Sequence, residues 1–314
     1  MAQMERCDGA SRTRKVRRFM KMRAFEYHRP ETLAEALALL AEFGGDAKVI
    51  AGGQSLVPMM AMRLSTPDHL VDISRISGLD EIKLADGRLT IGAMVRHAAA
   101  FSNDLVATTA PLVHAALPHI GHRAIRNRGT VCGSLAHADP AAELPAVARA
   151  LDAEFVVANA HGIRLIPAHE FFLGYLTADV GDGEMVTEVR FPIAAENAVV
   201  SVQEVSRRHG DFALAGCVAQ LSIAPNGTID TAALALFGVD AVPYRSAAAE
   251  AELVGNMSTS QVFASAAATM TADLKPAADN HGSTAYRRHL AGVLVHRALA
   301  DAASKFSLTV GVLA

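Results

Sequence analysis

Two stretches of this 314-residue chain place glycines beside hydroxyl side chains. The first is Ile50-Ala51-Gly52-Gly53-Gln54-Ser55-Leu56-Val57; the second is Gly129-Thr130-Val131-Cys132-Gly133-Ser134, with Asp139 and Glu143 downstream. Adjacent glycines can turn successive N–H groups toward one point and let an anion approach without a Cβ in the way. Ser55, Thr130 and Ser134 add hydroxyl donors, and Asp139 and Glu143 add acceptors for sugar or ribityl hydroxyls. A ligand with a diphosphate and polyol arms, such as a dinucleotide, matches that inventory.

Other chemistries fit less well. Gly53-Gln54-Ser55-Leu56-Val57 lacks the second glycine of a G-x-S-x-G nucleophile elbow. His119, His122 and His137 have no carboxylate or cysteine at a familiar ligand spacing, so no metal site is expected. Neither the G-x-G-x-x-G nor the G-x-x-x-x-G-K-[ST] pattern is present, which excludes Rossmann and P-loop readings. No catalytic acid–base dyad stands out. Asp139-Pro140 also reads as a helix start, with Asp139 as N-cap and Glu143 in the first turn.

The surrounding elements must hold both segments in place. "RPETLAEALALLAEFGG" predicts a helix beginning at Pro30 or Thr32, with Leu33, Ala36, Leu37 and Leu40 on one face and Gly44 as its stop. Ala47 to Ile50 reads as a short strand that delivers the glycine pair. "HLVDIS" and "EMVTEVRFP" read as strands, "EIKLADGRLTIGAMV" as a hairpin turning at Asp86-Gly87, and the stretch after Leu151 as two strands about His161-Gly162. Helices are expected through "APLVHAALPHIGH", and residues 126–145 are expected as a loop. Near residue 195 the pattern changes to three strands, the last two turning at Asn226-Gly227, followed by helices. Strands followed by helices indicate an α+β unit. The domain boundary is placed at residues 193–199, giving units of 20–195 and 196–314.

Composition sets outer bounds. A hydrophobic fraction of 51% with 19% charged residues belongs to a folded protein. Residues 1–19 hold six basic and two acidic side chains and read as a disordered basic extension, which leaves the remaining chain more acidic than the formal −3. An acidic body carries no broad footprint for nucleic acid. Three scattered cysteines (Cys7, Cys132, Cys217) encode neither a disulfide framework nor an iron–sulfur cluster, and no apolar run is long enough to span a bilayer. A reducing cytoplasm is the expected setting.

"AGGQSLVPMM" together with "IRNRGTVCGSLAHADPAAELPA" resembles the FAD-binding medium subunit of the aerobic carbon monoxide dehydrogenase and xanthine dehydrogenase family of molybdenum hydroxylases. The likeness runs from Met22 to the C-terminus and includes "SRRHGDFALAG" and "YRRHLAGVLVHRAL". The resemblance implies a two-part, PCMH-like FAD-binding domain, then a three-stranded antiparallel sheet with helices. It implies that Ile50–Val57 wraps the diphosphate and Thr130–Ser134 forms the second contact. Ile120 then packs on the cofactor, Val186 makes an aliphatic contact, and Glu143 is the acidic residue near it. Gln203 falls where relatives carry a lysine near the flavin, and Cys132 replaces a common glycine. The implied partners are a large molybdenum-cofactor subunit and a small [2Fe-2S] subunit, in a dimer of heterotrimers. A stand-alone FAD oxidoreductase and a non-catalytic assembly subunit are the alternatives.

Overall fold

The computed structural model describes residues 21–208 and 210–312. The expected basic extension at 1–19 lies outside them. After strand β1 (Glu26–His28), helix α1 (Leu33–Phe43) begins at Thr32 through a capping box: the Thr32 hydroxyl accepts from Glu35 N, and the Glu35 carboxylate accepts from Thr32 N. Ala36, Leu37 and Leu40 are its buried face, and Gly44 ends it at φ 51°. Strand β2 (Ala47–Ile50) leads through the glycine pair into α2 (Leu56–Ala61), and β3 (His69–Asp72) returns between β1 and β2 in a parallel sheet of order β1-β3-β2. Sequence patterning reveals neither β1 nor α2, since both are too short to show a period.

The hairpin of β4 (Ile82–Ala85) and β5 (Arg88–Gly92) turns at Asp86 and Gly87, both at positive φ, as the sequence predicts. Short helices follow: α3 (His97–Phe101), α4 (Asp104–Thr109), α5 (Pro111–Ala116), α6 (Arg123–Arg126), α7 (Val131–His137) and α8 (Glu143–Ala150). Strands β6 (Glu154–Asn159) and β7 (Gly162–Pro167) turn at Ala160-His161, one residue before the expected position. There the Asn159 side-chain oxygen accepts from His161 N and Gly162 N. A single-turn helix α9 (Ala168–Phe171) and the small pair β8 (Phe172–Gly174) and β9 (Thr177–Ala178) precede β10 (Met185–Pro192). That strand completes a five-stranded antiparallel sheet of order β4-β5-β10-β6-β7.

Past residues 193–197 the chain forms β11 (Ala198–Ser206), β12 (Ala213–Ile223) and β13 (Ile229–Phe237), an antiparallel sheet in that order. Helices α10 (Ala247–Ala251), α11 (Ser260–Thr271) and α12 (Thr284–Val312) follow. The architecture is the α+β arrangement expected from sequence. One face of the last sheet packs on α5 and α8, so that Ala213, Val218, Ala235 and Phe237 join the core of the first half. Its other face carries a second core with α11 and α12, built on Cys217, Leu234, Phe263 and Val295. Arg287 of α12 fastens the sheet's end, donating to the carbonyls of Leu214 (2.6 Å) and Gly238 (3.0 Å) and to Asp279 (2.6 Å). No described helix is long and apolar enough to cross a membrane.

Candidate functional site

The first segment leaves β2 where Ile73 N donates to Ile50 O. Gly53 sits at φ 71°, a conformation that glycine adopts without penalty. The Gln54 side chain donates back to Gly52 O at 3.0 Å, and Val57 N donates to Gly53 O, which closes the turn into α2. The backbone N–H groups of Gly52, Gly53, Gln54 and Ser55 have no acceptor among the described residues. Ser55 occupies the helix-capping position, yet its hydroxyl makes no capping bond. Four consecutive half-buried donors without partners are what a bound anion would satisfy.

The second segment departs from the expected loop, because Thr130 caps a helix there. Its side-chain oxygen accepts from Gly133 N at 3.0 Å, Thr130 is buried, and α7 runs to His137. The Thr130 hydroxyl and the Gly133 N–H are therefore committed to each other, whereas the Ser134 hydroxyl has no partner among the described residues. A Cβ on Gly133 would stand 2.6 Å from Thr130 Oγ1, so glycine preserves the cap. Cys132 is buried with its thiol toward Ile91 O, and burial raises its pKa, which leaves it inert as a redox thiol.

The two segments touch at Gly52. A Cβ there would lie 2.3 Å from Arg128 O and 2.7 Å from Gly129 Cα. The second strand of that junction is tied to α3: Arg96 donates to Arg128 O, His97 N to Gly129 O, and Val131 N to Val95 O. His97 is buried beneath Gly129, and burial lowers its pKa to about 4 against the opposing effect of the Thr130 backbone, so it packs as a neutral ring. The exposed Arg128 guanidinium has no partner among the described residues. Arg126 instead donates to the carbonyls of Pro118, Ile120 and Gly121, which fixes the turn that carries the buried Ile120.

A second group of titratable residues lies where the two halves meet. Glu143 is the first residue of α8, and burial raises its carboxyl to about 7, with the Glu204 charge acting in the same direction. His119 forms an ion pair with Glu204 at 3.4 Å, which raises the imidazole against the opposing effect of burial. Asp139 is no helix cap; its carboxylate accepts from Ala141 N in a turn, and α8 starts only at Glu143. On β11 alternate side chains face opposite ways. Gln203 donates to Ser201, whose hydroxyl engages Asp301 of α12. Glu204 faces the first half instead, so it is Glu204, rather than Gln203, that β11 turns toward Glu143. Val186 lies buried on β10 opposite Val157.

Sequence reasoning missed Arg96, His97, Arg128 and Glu204. Only "RNRG" offered a cue, basic residues next to the second glycine segment. A groove of about 640 Å³ between α11 and α12 shares no lining residue with either segment.

Residues 23–194 match the FAD binding domain in molybdopterin dehydrogenase, and residues 201–302 match the CO dehydrogenase flavoprotein C-terminal domain. The chain is 38% identical over 283 residues to the 6-hydroxypseudooxynicotine dehydrogenase complex subunit alpha of Paenarthrobacter nicotinovorans, covering 90% of this chain and 96% of that one. It is 36% identical over 279 residues to the glyceraldehyde dehydrogenase medium chain of Sulfolobus acidocaldarius, covering 89% and 98%. Among solved structures, carbon monoxide dehydrogenase from Hydrogenophaga pseudoflava superposes with a TM-score of 0.87 at 38% identity, covering 90% of this chain and 98% of that one.

Proposed function

The chain belongs to the FAD-binding medium subunits of the molybdenum hydroxylases, and on that premise we propose that it carries electrons from the [2Fe-2S] clusters of a separate subunit, through FAD, to an external acceptor. Its cofactor is FAD, and it is a subunit of an oxidoreductase. The observation that carries the reading is the run of unpaired N–H groups from Gly52 to Ser55, held against Arg128 and Gly129.

Each group of residues has a part in this reading. Gly52 to Ser55 bind the diphosphate, with Arg128 supplying positive charge. The Ser55 and Ser134 hydroxyls orient neighbouring oxygens. Ile120 and Val186 supply apolar walls that exclude water from the ring system. Glu143, half protonated near neutrality, offers a proton to a cofactor hydroxyl or carbonyl, and the His119–Glu204 pair sets the charge beside it. Bound FAD supplies the exchange between single-electron delivery and two-electron release.

Partner chains follow from what this one lacks. A [2Fe-2S] cluster takes four cysteine ligands, and the sequence has three cysteines, two of them buried singly. Relatives of nearly equal identity are named for a pseudooxynicotine and for glyceraldehyde, which supports substrate selection on a different, molybdenum-bearing subunit. Assembly as a dimer of heterotrimers in the cytoplasm completes the proposal.

The test is titration of the purified chain with FAD and with FMN, followed by flavin fluorescence and repeated with co-expressed partner subunits. Tight FAD binding with weak FMN binding is expected, and Gly53→Val should abolish it. Full flavin occupancy in Gly53→Val would remove the anion-loop account. An FAD-loaded complex that fails to take electrons from its reduced [2Fe-2S] subunit would overturn the relay.

A further inference from the structure

Away from the cofactor segments, the described residues bring one group of metal-ligating side chains together: Glu26 and His28 on β1 and His69 on β3. Parallel pairing sets Glu26 beside His69, and strand alternation places His28 on the same face. His28 Nε2 stands 3.1 Å from His69 Nδ1, and His69 Nδ1 stands 3.6 Å from a Glu26 carboxylate oxygen. All three ligand atoms lie within 4.8 Å of one another. Zinc bonds of about 2.0–2.1 Å in a tetrahedron separate neighbouring ligands by about 3.3–3.4 Å, and the two observed edges straddle that value.

The rings are also held in position. Phe43, at the end of α1, stacks on His69 with centroids 3.7 Å apart and planes 5° from parallel, and on His28 at 5.1 Å. Glu26 is 74% exposed, so the group opens to solvent. We propose that Glu26, His28 and His69 form a binding site for a divalent transition-metal ion of the zinc type, with a solvent molecule completing the tetrahedron. Two imidazoles and a carboxylate are the ligand set such ions prefer.

The position of the site fixes its role. His69 begins β3, whereas the glycine loop leaves from the end of β2, opposite Asp72. Three residues of strand, about 10 Å, separate the two ends. The ion therefore clips the three-residue edge strand β1 onto β3, and its effect is on stability, with no direct contact to the cofactor.

The test uses the full chain, stripped with chelator and dialysed against zinc sulfate at neutral pH, then analysed for metal. The wild type should retain one zinc more per chain than a His28→Gln/His69→Gln double variant with the same FAD content. A hundredfold excess of zinc over Kd should raise the melting midpoint of the wild type alone by about 4 °C. Equal zinc retention and equal melting shifts in both proteins would overturn the proposal, as would no retention by the wild type, leaving His28 and His69 sharing an ordinary hydrogen bond. If the double variant fails to fold, Glu26→Gln decides, because its side chain is exposed: weaker zinc binding by tenfold or more supports the site, and unchanged binding overturns it.

Discussion

Gly52 and Arg128 meet so closely that a β carbon on the first would fall 2.3 Å from the carbonyl oxygen of the second. The glycine pair thus has two separate duties: Gly52 admits the second segment, and Gly53 makes the turn.

The two substitutions should therefore differ. Gly52→Ala sets a methyl against backbone that cannot yield, an overpacking cost of about 1–3 kcal/mol, so FAD affinity should fall about 10- to 100-fold. Gly53→Ala carries about 1–2 kcal/mol of left-handed strain but meets only side chains, Val57 at 3.2 Å and Ile50 at 3.4 Å. Paired flavin titrations and thermal melts check the order; wild-type affinity in Gly52→Ala would show that the segments need not touch.

Glu143 should make the flavin-free protein lose stability as the pH rises. Its folded-state value near 7 exceeds the ordinary carboxyl value, so from about pH 4.5 to 7 the native state holds a proton that the unfolded chain has released. Stability from this group is fully present below about pH 4.5 and is lost as the pH passes through 7, by about 3 kcal/mol in all. Urea denaturation across that range should show the slope in the wild type and a flatter profile in Glu143→Gln.

Cys132 and Cys217 are buried and unpaired, and burial raises both thiols, that of Cys217 to about 12. In a Cys7→Ser variant, a thiol reagent should label nothing in the folded protein and two sites per chain in denaturant. Rapid labelling of the native form would place one of these sulfurs at the surface.

Arg287→Met keeps much of the side-chain bulk but deletes the bonds to Leu214 O, Gly238 O and Asp279. Charge-assisted bonds to buried carbonyls contribute about 1.5–3 kcal/mol each, so a loss of about 3 kcal/mol is expected in the urea midpoint. Asp279→Asn, at a half-exposed partner, should cost far less.

The parts of the fold that depend on local chemistry were legible in the sequence. The start of α1 at Pro30 or Thr32, the Asp86-Gly87 turn and the three final strands each arise from residues close in the chain. The start of α7 was hidden because its cap, Thr130, stands in a run of glycines and small side chains that reads equally well as loop. The purpose of Gly52 was hidden for a different reason, since its neighbour lies 76 residues away. Glu204 was missed because a one-residue offset on a strand reverses the facing side, and only the pairing with β12 settles which side is which. His28 and His69 join only when β1, too short to show a period, pairs with β3.

The sheet of β11 to β13 is packed on both faces, one against α5 and α8 and the other against α11 and α12. A wall shared in this way leaves no hinge at residues 193–197, for bending there would tear Val218 and Phe237 out of the first core. The two halves are thereby tied into one block, and a displacement of α8 with Glu143 would carry β11 and Glu204 along with it.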